Sequence, residues 1–238
     1  MGKLYVIGIG PGGLSHMTQS AKEAIEESDI IVGYTKYIEF IKPLINEKTV
    51  FSTGMMGEEE RCKEALRLCR DNTVSVISTG DAGIYGMAGL ILELRKEEEV
   101  EIIPGVTASS AAASIVGAPL MHDHCSISLS DLMTSYELIK KRVKLAAEAD
   151  FIISLYNPKS KGRPHYLMEC IEIIKEYRSG ETPVAVVKNA LREGQKISLF
   201  TLDTFLDKEV DMLSIVIIGN SQSYIKDGKF ITPRGYKL

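Results

Sequence analysis

Hydrophobic residues in the first half of the chain follow two alternating spacings. Short runs rich in β-branched residues, typical of buried strands, are separated by stretches in which apolar residues recur every three or four positions. Ala21, Ala24 and Ile25 follow the helical spacing, as do Cys62 and Ala65. This alternation predicts parallel strands joined by crossover helices. The predicted strands of this half are residues 3–9, 29–33, 49–52, 73–78 and 100–103.

Both spacings break near Pro119. Proline disfavours helical geometry in the residue before it and lacks an amide hydrogen of its own. We therefore predict a domain boundary between residues 116 and 117. Beyond it, helices are predicted near 136–149 and 163–178. The predicted strands of the second half are residues 125–129, 150–155, 183–188, 196–202 and 213–218.

The two halves are predicted to fold as two α/β domains. A short polar turn joins the strands 183–188 and 196–202, which indicates a hairpin and hence a mixed sheet in the second half. Residues 1–116 should contain a mainly parallel sheet, and residues 117–238 the mixed one. Clefts between domains are common sites for small ligands. We expect a cofactor cleft between these two domains.

Composition narrows the classes of function. The net charge is −4 and the charged residues, 25% of the chain, are dispersed. The chain therefore has no basic field that would hold a long polyanion such as DNA. The N-terminus lacks the features of a secretory signal, and no apolar run approaches the roughly 18 residues that cross a bilayer. We expect a cytoplasmic protein that binds neither nucleic acid nor membranes.

The four cysteines form no CxxC pair and no regular framework. This pattern argues against a disulfide scaffold and against a structural zinc site. Cys62 and Cys69 are seven residues apart on one predicted helix face. Because free cysteine usually behaves as a small hydrophobe, we expect buried thiols.

The first predicted strand leads into a glycine-rich loop, Gly8-Ile9-Gly10-Pro11-Gly12-Gly13. Its GxGxxG spacing matches the dinucleotide-binding pattern. Two features count against a dinucleotide. Pro11 offers no amide hydrogen to a phosphate, and the second strand ends at Gly33 and Tyr34 without the acidic residue that binds ribose. The glycines alone fit a tight strand-to-helix turn equally well.

Two more loops of small residues follow the fourth and fifth predicted strands, at residues 78–86 and 104–111. Loops at the carboxyl ends of parallel strands share one edge of the sheet, where ligands bind. Asp81 could accept ribose hydroxyls or an ammonium group while backbone groups bind the rest, which suits a zwitterionic nucleoside better than a polyphosphate. Alternatively, Asp81 is a helix N-cap and the glycines form turns.

Taken together, the GxGPG loop, the Gly-Asp loop and the Pro-Gly-Val-Thr-Ala segment resemble those of the tetrapyrrole (corrin/porphyrin) methylases. The likeness covers essentially the whole chain. Residues 80–88, 122–132 and 156–158 are most similar to the branch that methylates C17 of precorrin-3B. Ala82 stands where other members of the family commonly have proline.

The resemblance implies S-adenosylmethionine as methyl donor, with S-adenosylhomocysteine as product, and usually a homodimer. It implies C17 methylation of precorrin-3B or cobalt-precorrin-3B with ring contraction, a step of cobalamin biosynthesis. The positions that match the family's cofactor contacts are Pro11, Thr79, Gly80, Asp81, Ile84, Thr107 and Ala108 in the first domain and Tyr156, Asn157 and Ala190 in the second.

The sequence offers fewer indications of substrate-binding residues than of cofactor-binding residues. Lys159 and Arg163 lie in a short cationic segment that could bind the carboxylates of a tetrapyrrole, but a solvated loop explains them equally well. Ser128 and Ser130 could line a substrate trough; the alternative is that Ser130 and Asp131 end a strand and cap a turn.

Ring contraction moves protons, so an acid or base is expected. The candidates are His122, Asp131 and Asp81, with His122 first because imidazole titrates near neutral pH. His122 and His124 lack a recognisable third ligand, so no protein-bound metal is predicted, and any cobalt would arrive within the substrate. The competing functions are methylation of a different tetrapyrrole carbon or of protein or RNA, a dinucleotide-dependent oxidoreductase, and a nucleoside-binding protein.

Overall fold

The structure, a computed structural model, describes residues 2–236. Its residues group into two compact units, one ending at Ala108 and one beginning at Ser109. The predicted boundary at 116/117 lies one helix further along the chain. None of the helices in the described range is long and apolar enough to span a membrane.

The first unit is built on a five-stranded parallel sheet. Its strands are β1 (Lys3–Gly8), β2 (Ile30–Tyr34), β3 (Thr49–Thr53), β4 (Val74–Ser78) and β5 (Glu99–Ile103). The strand order is β3-β2-β4-β1-β5, and all pairs are parallel. Every residue of the central β4 is buried, as expected for a strand covered on both faces. The five predicted strands are confirmed to within one residue at each end.

Helices cover both faces of this sheet. They are α1 (Gln19–Glu27), α2 (Thr35–Ile41), α3 (Glu58–Leu68) and α4 (Ala88–Leu94), followed by α5 (Ala108–Val116) at the junction of the units. Successive residues of β1 point to opposite faces. Leu4 and Val6 therefore join the apolar cluster that includes α3 and α4, whereas Tyr5 and Ile7 join the cluster that includes α1.

The second unit contains a mixed five-stranded sheet and a small three-stranded one. The strands are β6 (Gly117–Ala118), β7 (His124–Ser128), β8 (Ile152–Tyr156), β9 (Pro183–Lys188), β10 (Lys196–Thr201), β11 (Ser214–Ile218), β12 (Tyr224–Lys226) and β13 (Lys229–Ile231). The large sheet has the order β10-β9-β11-β8-β7, and the small one β12-β13-β6. The predicted hairpin is confirmed, since β9 and β10 pair antiparallel.

Two helices, α6 (Tyr136–Glu148) and α7 (Tyr166–Lys175), pack on the large sheet of this unit. The helix predicted from residue 163 begins three residues later, because Arg163 closes a turn with Ser160 before the chain turns helical. The sequence pattern did not predict α2, α4, α5 or the small sheet. These elements are short, and β6 spans only two residues, so their apolar periodicity is too brief to identify.

Buried thiols were expected and are found. Cys62, Cys69 and Cys170 are at most 1% exposed, and Cys125 is partly buried. Burial raises the pKa of the Cys62 thiol to about 11 and that of Cys170 to about 12, because a thiolate is poorly solvated inside the protein. These thiols are packing groups at neutral pH.

Backbone segments at the carboxyl edge of the parallel sheet approach one another too closely for side chains. A Cβ atom on Gly105 would lie 2.2 Å from the carbonyl oxygen of Gly80 and 2.5 Å from that of Gly8. A Cβ on Gly8 would in turn lie 2.7 Å from the Gly105 nitrogen. The first, fourth and fifth strands can thus bring their loops together only because these positions are glycine.

Replacement of Gly105 by alanine should therefore destabilise the protein by about 3 kcal/mol, because the clash is with backbone that cannot rotate away. Gly89→Ala is the matched control, since a Cβ there meets nothing within 4 Å and the residue is helical. That variant should be more stable by roughly 0.5 kcal/mol. Urea unfolding measures both; equal stabilities for the two variants would contradict the close approach.

Candidate active site

The loop after β1 and the loop after β4 are joined by a reciprocal pair of backbone hydrogen bonds. The amide of Gly10 donates to the carbonyl of Gly80, and the amide of Gly80 donates to the carbonyl of Gly10, each at 2.9 Å. Both residues have positive φ, 71° and 65°. Glycine adopts this conformation without a steric cost, which explains why this residue type stands at both positions.

Asp81 connects the loop after β4 to the loop after β5. Its Oδ1 accepts a hydrogen bond from the amide of Gly83 at 2.8 Å, and its Oδ2 accepts one from the amide of Gly105 at 3.0 Å. The residue before α4 is Met87, so Asp81 is not the N-cap of that helix. Asp81 therefore positions two of the three loops, and its remaining lone pairs can still accept hydrogen bonds.

The surface formed by these loops is apolar and free of cations. Ile84, Tyr85 and Val106 are 40%, 54% and 37% exposed. Tyr85 has a φ of 54°, a strained conformation for a bulky residue and one that is concentrated at ligand sites. Neither lysine nor arginine occurs in residues 8–17, 79–87 or 104–108. Backbone groups, one carboxylate and apolar side chains suit an uncharged or cationic nucleoside, and they lack the positive groups that a polyphosphate needs.

The other cofactor positions of the first unit lie on the same three loops. Pro11 and Gly80 are buried, and Thr79, Thr107 and Ala108 are partly exposed. A Cβ on Gly80 would lie 3.8 Å from the nitrogen of Ala108 and 3.9 Å from the Cα of Thr107. The structure thus brings the seven predicted positions of this unit together on contiguous loops.

In the second unit, three strands end at one edge of the mixed sheet. Strands β8 and β9 are each antiparallel to β11, and β7 is parallel to β8, so β7, β8 and β9 run in the same direction. Ser128, Tyr156 and Asn157 lie at the ends of β7 and β8, and Ala190 follows β9. The predicted positions on these strands therefore share an edge, although they are distant in sequence.

Side-chain hydrogen bonds join the ends of β7 and β8. The Nδ2 of Asn157 donates to the Oγ of Ser128 at 3.0 Å, and the same oxygen accepts the amide of Ser130 at 3.2 Å. The hydroxyl of Tyr156 donates to the Oγ of Ser109 at 2.9 Å and accepts the Ser109 amide at 3.1 Å. Ser109 was not predicted individually. It lies in the small-residue segment 104–111, whose last four residues form the first part of α5 and not a loop.

Backbone strain is concentrated at the same edge. Asn157 and Asn189 each have a φ of 49°, and Leu191 has a φ of 58°. For leucine this left-handed conformation costs of order 1–3 kcal/mol, and such residues cluster at active sites and ligand clamps. Ala190 lies between two of these residues. Asparagine tolerates left-handed geometry, which is the one sequence signal that could have singled out Asn189.

Arg163 bonds to the backbone just after the ends of β7 and β8. Its Nη1 donates to the carbonyl oxygens of Leu129 and Asn157, and its Nε lies 3.5 Å from Oδ1 of Asp131. Arg163 is 8% exposed. Asp131 also accepts a hydrogen bond from the hydroxyl of Tyr166 at 2.9 Å, and this contact raises the pKa of the Tyr166 phenol. Tyr166 was missed in the sequence because no local pattern marks it.

The second predicted cation is also paired within the protein. The ammonium group of Lys159 lies 2.6 Å from the carboxylate of Asp207. In the same segment, Lys161 and His165 are exposed. The segment thus divides into two cations with protein partners and two basic side chains directed to solvent.

His122 lies at the other end of β7. It is exposed, and its carbonyl oxygen lies 3.2 Å from the Nδ1 of His124, the first residue of the strand. Ser128, the last residue of β7, is four residues after His124, which separates the two by about 13 Å at the usual rise of a strand. His122 instead borders a shallow groove with Met121 and Arg234. The structure therefore places Ser128, Ser130, Asp131 and Asn157 together and places His122 apart from them.

Arg163 supplies a measurable test of this arrangement. Arg163→Met should lower the free energy of unfolding by at least about 2 kcal/mol, because it removes the guanidinium donor from two carbonyl oxygens and the ionic partner from Asp131. The exposed Lys161 of the same segment is the control, and Lys161→Met should change stability by less than about 0.5 kcal/mol. Urea denaturation measures both values. An Arg163→Met protein as stable as the Lys161→Met protein would show that the guanidinium does not hold these strand ends.

Comparison with known proteins identifies the family. The sequence pattern of the family described as Tetrapyrrole (Corrin/Porphyrin) Methylases matches residues 3–206. The probable cobalt-factor III C(17)-methyltransferase of Salmonella typhimurium strain LT2 is 50% identical, over 99% of this chain and 100% of that protein. The cobalt-factor III methyltransferase of Priestia megaterium is 47% identical over 99% of this chain, which spans 45% of that longer protein.

Solved structures agree with the sequence comparison. The crystal structure of the methyltransferase CobJ superposes with a TM-score of 0.93 at 33% identity and covers 98% of this chain and 100% of that one. A uroporphyrin-III C-methyl transferase from Thermus thermophilus, solved with S-adenyl homocysteine, has a TM-score of 0.67 at 21% identity over 92% of each chain, which shows a shared fold. The predicted family and the predicted α/β architecture are confirmed, and this chain belongs to the tetrapyrrole (corrin/porphyrin) methylases.

Proposed function

We propose that this chain is an S-adenosylmethionine-dependent methyltransferase that methylates C17 of cobalt-factor III in cobalamin biosynthesis. The observation that carries the proposal is 50% identity, over the whole of both chains, to a relative named for that reaction. The sequence had left open whether the substrate carries cobalt. Both relatives described above are named for cobalt-factor III, so we propose the cobalt-containing tetrapyrrole as substrate.

The first unit has the chemistry that this cofactor requires. We propose that the residues of this unit that bind it are Pro11, Thr79, Gly80, Asp81, Ile84, Thr107 and Ala108. In the second unit, Tyr156, Asn157 and Ala190 stay predicted cofactor contacts. The exposed Ile84 offers an apolar contact to a purine, and the free lone pairs of Asp81 can accept hydrogen bonds from hydroxyl or ammonium groups. When bound, S-adenosylmethionine supplies an activated methyl group on a positively charged sulfur.

The rigidity of the loops is their contribution to the reaction. Methyl transfer requires the acceptor carbon and the methyl group in line, and positioning alone supplies a large part of such catalysis. The reciprocal bonds between Gly10 and Gly80, together with the two amides held by Asp81, fix the cofactor loops before any ligand binds. We propose that Asp81 acts by positioning these loops.

On the substrate side, we propose that Ser128 and Ser130 contact the tetrapyrrole. Lys159 and Arg163 were predicted to bind its carboxylates. Because Arg163 is buried and already bonded to two carbonyls, its role in our proposal is to position Asn157 and Asp131. Lys159 keeps a partly exposed ammonium group that Asp207 orients. The predicted homodimer also stays a proposal.

Among the acid–base candidates, we propose Asp131. It lies with Ser128 and Asn157 at the carboxyl edge, and Tyr166 and Arg163 orient its two oxygens. His122, ranked first from the sequence, lies at the opposite end of β7. Asp131 therefore has the location and the fixed orientation that proton transfer to a bound substrate needs.

The cofactor assignment predicts a clear difference between two nucleotides. In calorimetric titration the protein should bind S-adenosylhomocysteine and should show no saturable binding of NAD, because the loops offer no cation to a pyrophosphate. Asp81→Asn gives a sharper test, since an amide retains the shape but cannot accept through both atoms. It should weaken S-adenosylhomocysteine binding at least about tenfold. Binding of NAD alone would refute the proposal in favour of an oxidoreductase.

Turnover assays test the reaction itself. Cobalt-factor III and S-adenosylmethionine should give a product with one additional methyl group, which mass spectrometry detects and NMR places at C17. Methylation at another carbon would instead indicate a different member of the family. Asp131→Asn should lower kcat at least about 100-fold as expected for loss of an acid–base group, whereas His122→Asn should change kcat little. A large loss of kcat in His122→Asn and little change in Asp131→Asn would instead favour His122 as the acid–base group.

A further inference from the structure

Two large apolar side chains stand in solvent directly after Asp131. Leu132 is 79% exposed, and Met133, at 97%, is the most exposed large apolar side chain within residues 2–236. Isolated exposed apolar residues are common, whereas contiguous exposed apolar residues are typical of an interaction surface. We call residues 132–133 the apolar tip.

Residues on both sides of the apolar tip are anchored by side-chain contacts. On its N-terminal side, Asp131 is bonded to Tyr166 and paired with Arg163. On its C-terminal side, α6 begins at Tyr136, whose ring stacks on that of Tyr166 with centroids 3.6 Å apart. The Tyr136 hydroxyl also donates to Glu169 at 2.8 Å. Both ends are thus fixed to the start of α7, and the tip projects from a preformed support.

We propose that the apolar tip packs against the face of the tetrapyrrole macrocycle. This inference rests on the function proposed above and adds two substrate-binding residues to it. A tetrapyrrole combines flat apolar faces with a carboxylate-bearing rim, so its binding site needs an apolar contact as well as polar ones. The tip is continuous with Ser128, Ser130 and Asp131, which lie at the end of β7. Methionine adapts its shape to a flat ligand more readily than branched side chains do.

A second copy of the chain is the other occupant to consider. A stable dimer buries roughly 800 Å² on each partner, and two adjacent side chains supply a small part of that area. The support is also better suited to a small ligand, because a preformed contact loses little conformational entropy on binding. The location beside the strand-end network, where a substrate is expected, favours the macrocycle.

The test is a titration of the full-length protein with cobalt-factor III, followed by absorbance, in the presence of S-adenosylhomocysteine. The double variant Leu132→Ser/Met133→Ser should bind the tetrapyrrole at least about tenfold more weakly, since burial of either side chain alone is worth that factor. Its affinity for S-adenosylhomocysteine and its thermal stability should be unchanged, because neither side chain is packed in the protein.

Two further variants complete the design. Leu132→Met/Met133→Leu keeps the apolar character and should retain the affinity of the unaltered protein. Leu145→Ser removes a leucine on α6 of the same unit that is 52% exposed. This variant should leave the affinity for the tetrapyrrole unchanged.

Equal tetrapyrrole affinity in the Leu132→Ser/Met133→Ser and unaltered proteins would overturn the inference while leaving the proposed function in place. A change of oligomeric state in gel filtration would also overturn it and assign the tip to contact between copies. Failure of the unaltered protein to bind cobalt-factor III would instead refute the proposed function, and the inference with it.

Discussion

The close approach of three backbone segments at the edge of the parallel sheet is the constraint on which the first unit depends. A Cβ atom at Gly8 or Gly105 would collide with the backbone of a neighbouring segment, and Gly80 adopts a positive φ that favours glycine. The contact is completed by hydrogen bonds between Gly10 and Gly80 and by the carboxylate of Asp81, which accepts an amide from each of two loops. These internal bonds hold the loops against one another, and the apolar side chains of Ile84 and Val106 are exposed to solvent.

In the second unit, side-chain hydrogen bonds fix the strand ends. There the strand ends are held by side chains, with the Arg163 guanidinium bonded to two carbonyl oxygens and to Asp131. A buried arginine is costly unless its donors are satisfied, and here Nη1 and Nε have acceptors just after the ends of β7 and β8. Arg163 thereby also contacts the backbone of Asn157, whose φ is 49°. The protein thus uses glycine backbones in one unit and a buried cation in the other to fix the ends of parallel strands.

These two supports change how charged residues of the site are understood. Asp81 and Arg163 both looked like ligand-binding groups in the sequence, because an acidic residue in a small-residue loop and a cation in a basic segment are typical of such roles. In the structure, Asp81 is bonded to backbone amides of two loops, and Arg163 is bonded to backbone carbonyls just after β7 and β8. Arg163 is therefore proposed to act only through the strand ends that it orients, whereas Asp81 is proposed both to orient its loops and to contact the cofactor. Ser130 and the apolar tip have fewer internal contacts, and they are the groups proposed to contact the substrate.

The sequence by itself determined most of the fold and much of the cofactor site. Ten strands of the two large sheets were predicted to within two residues, because buried strands form continuous apolar runs that local spacing reveals. The three glycine-rich loops were identified, since each directly follows such a run and parallel strands bring their carboxyl ends to one edge. The tertiary structure decided what local spacing cannot encode. Tyr166, 35 residues from Asp131, bonds to it, and Asp207, 48 residues from Lys159, neutralises that lysine. His122, near Asp131 in sequence, lies at the other end of a strand. A hydrogen bond depends on which atoms meet in space, and sequence separation sets no limit on that.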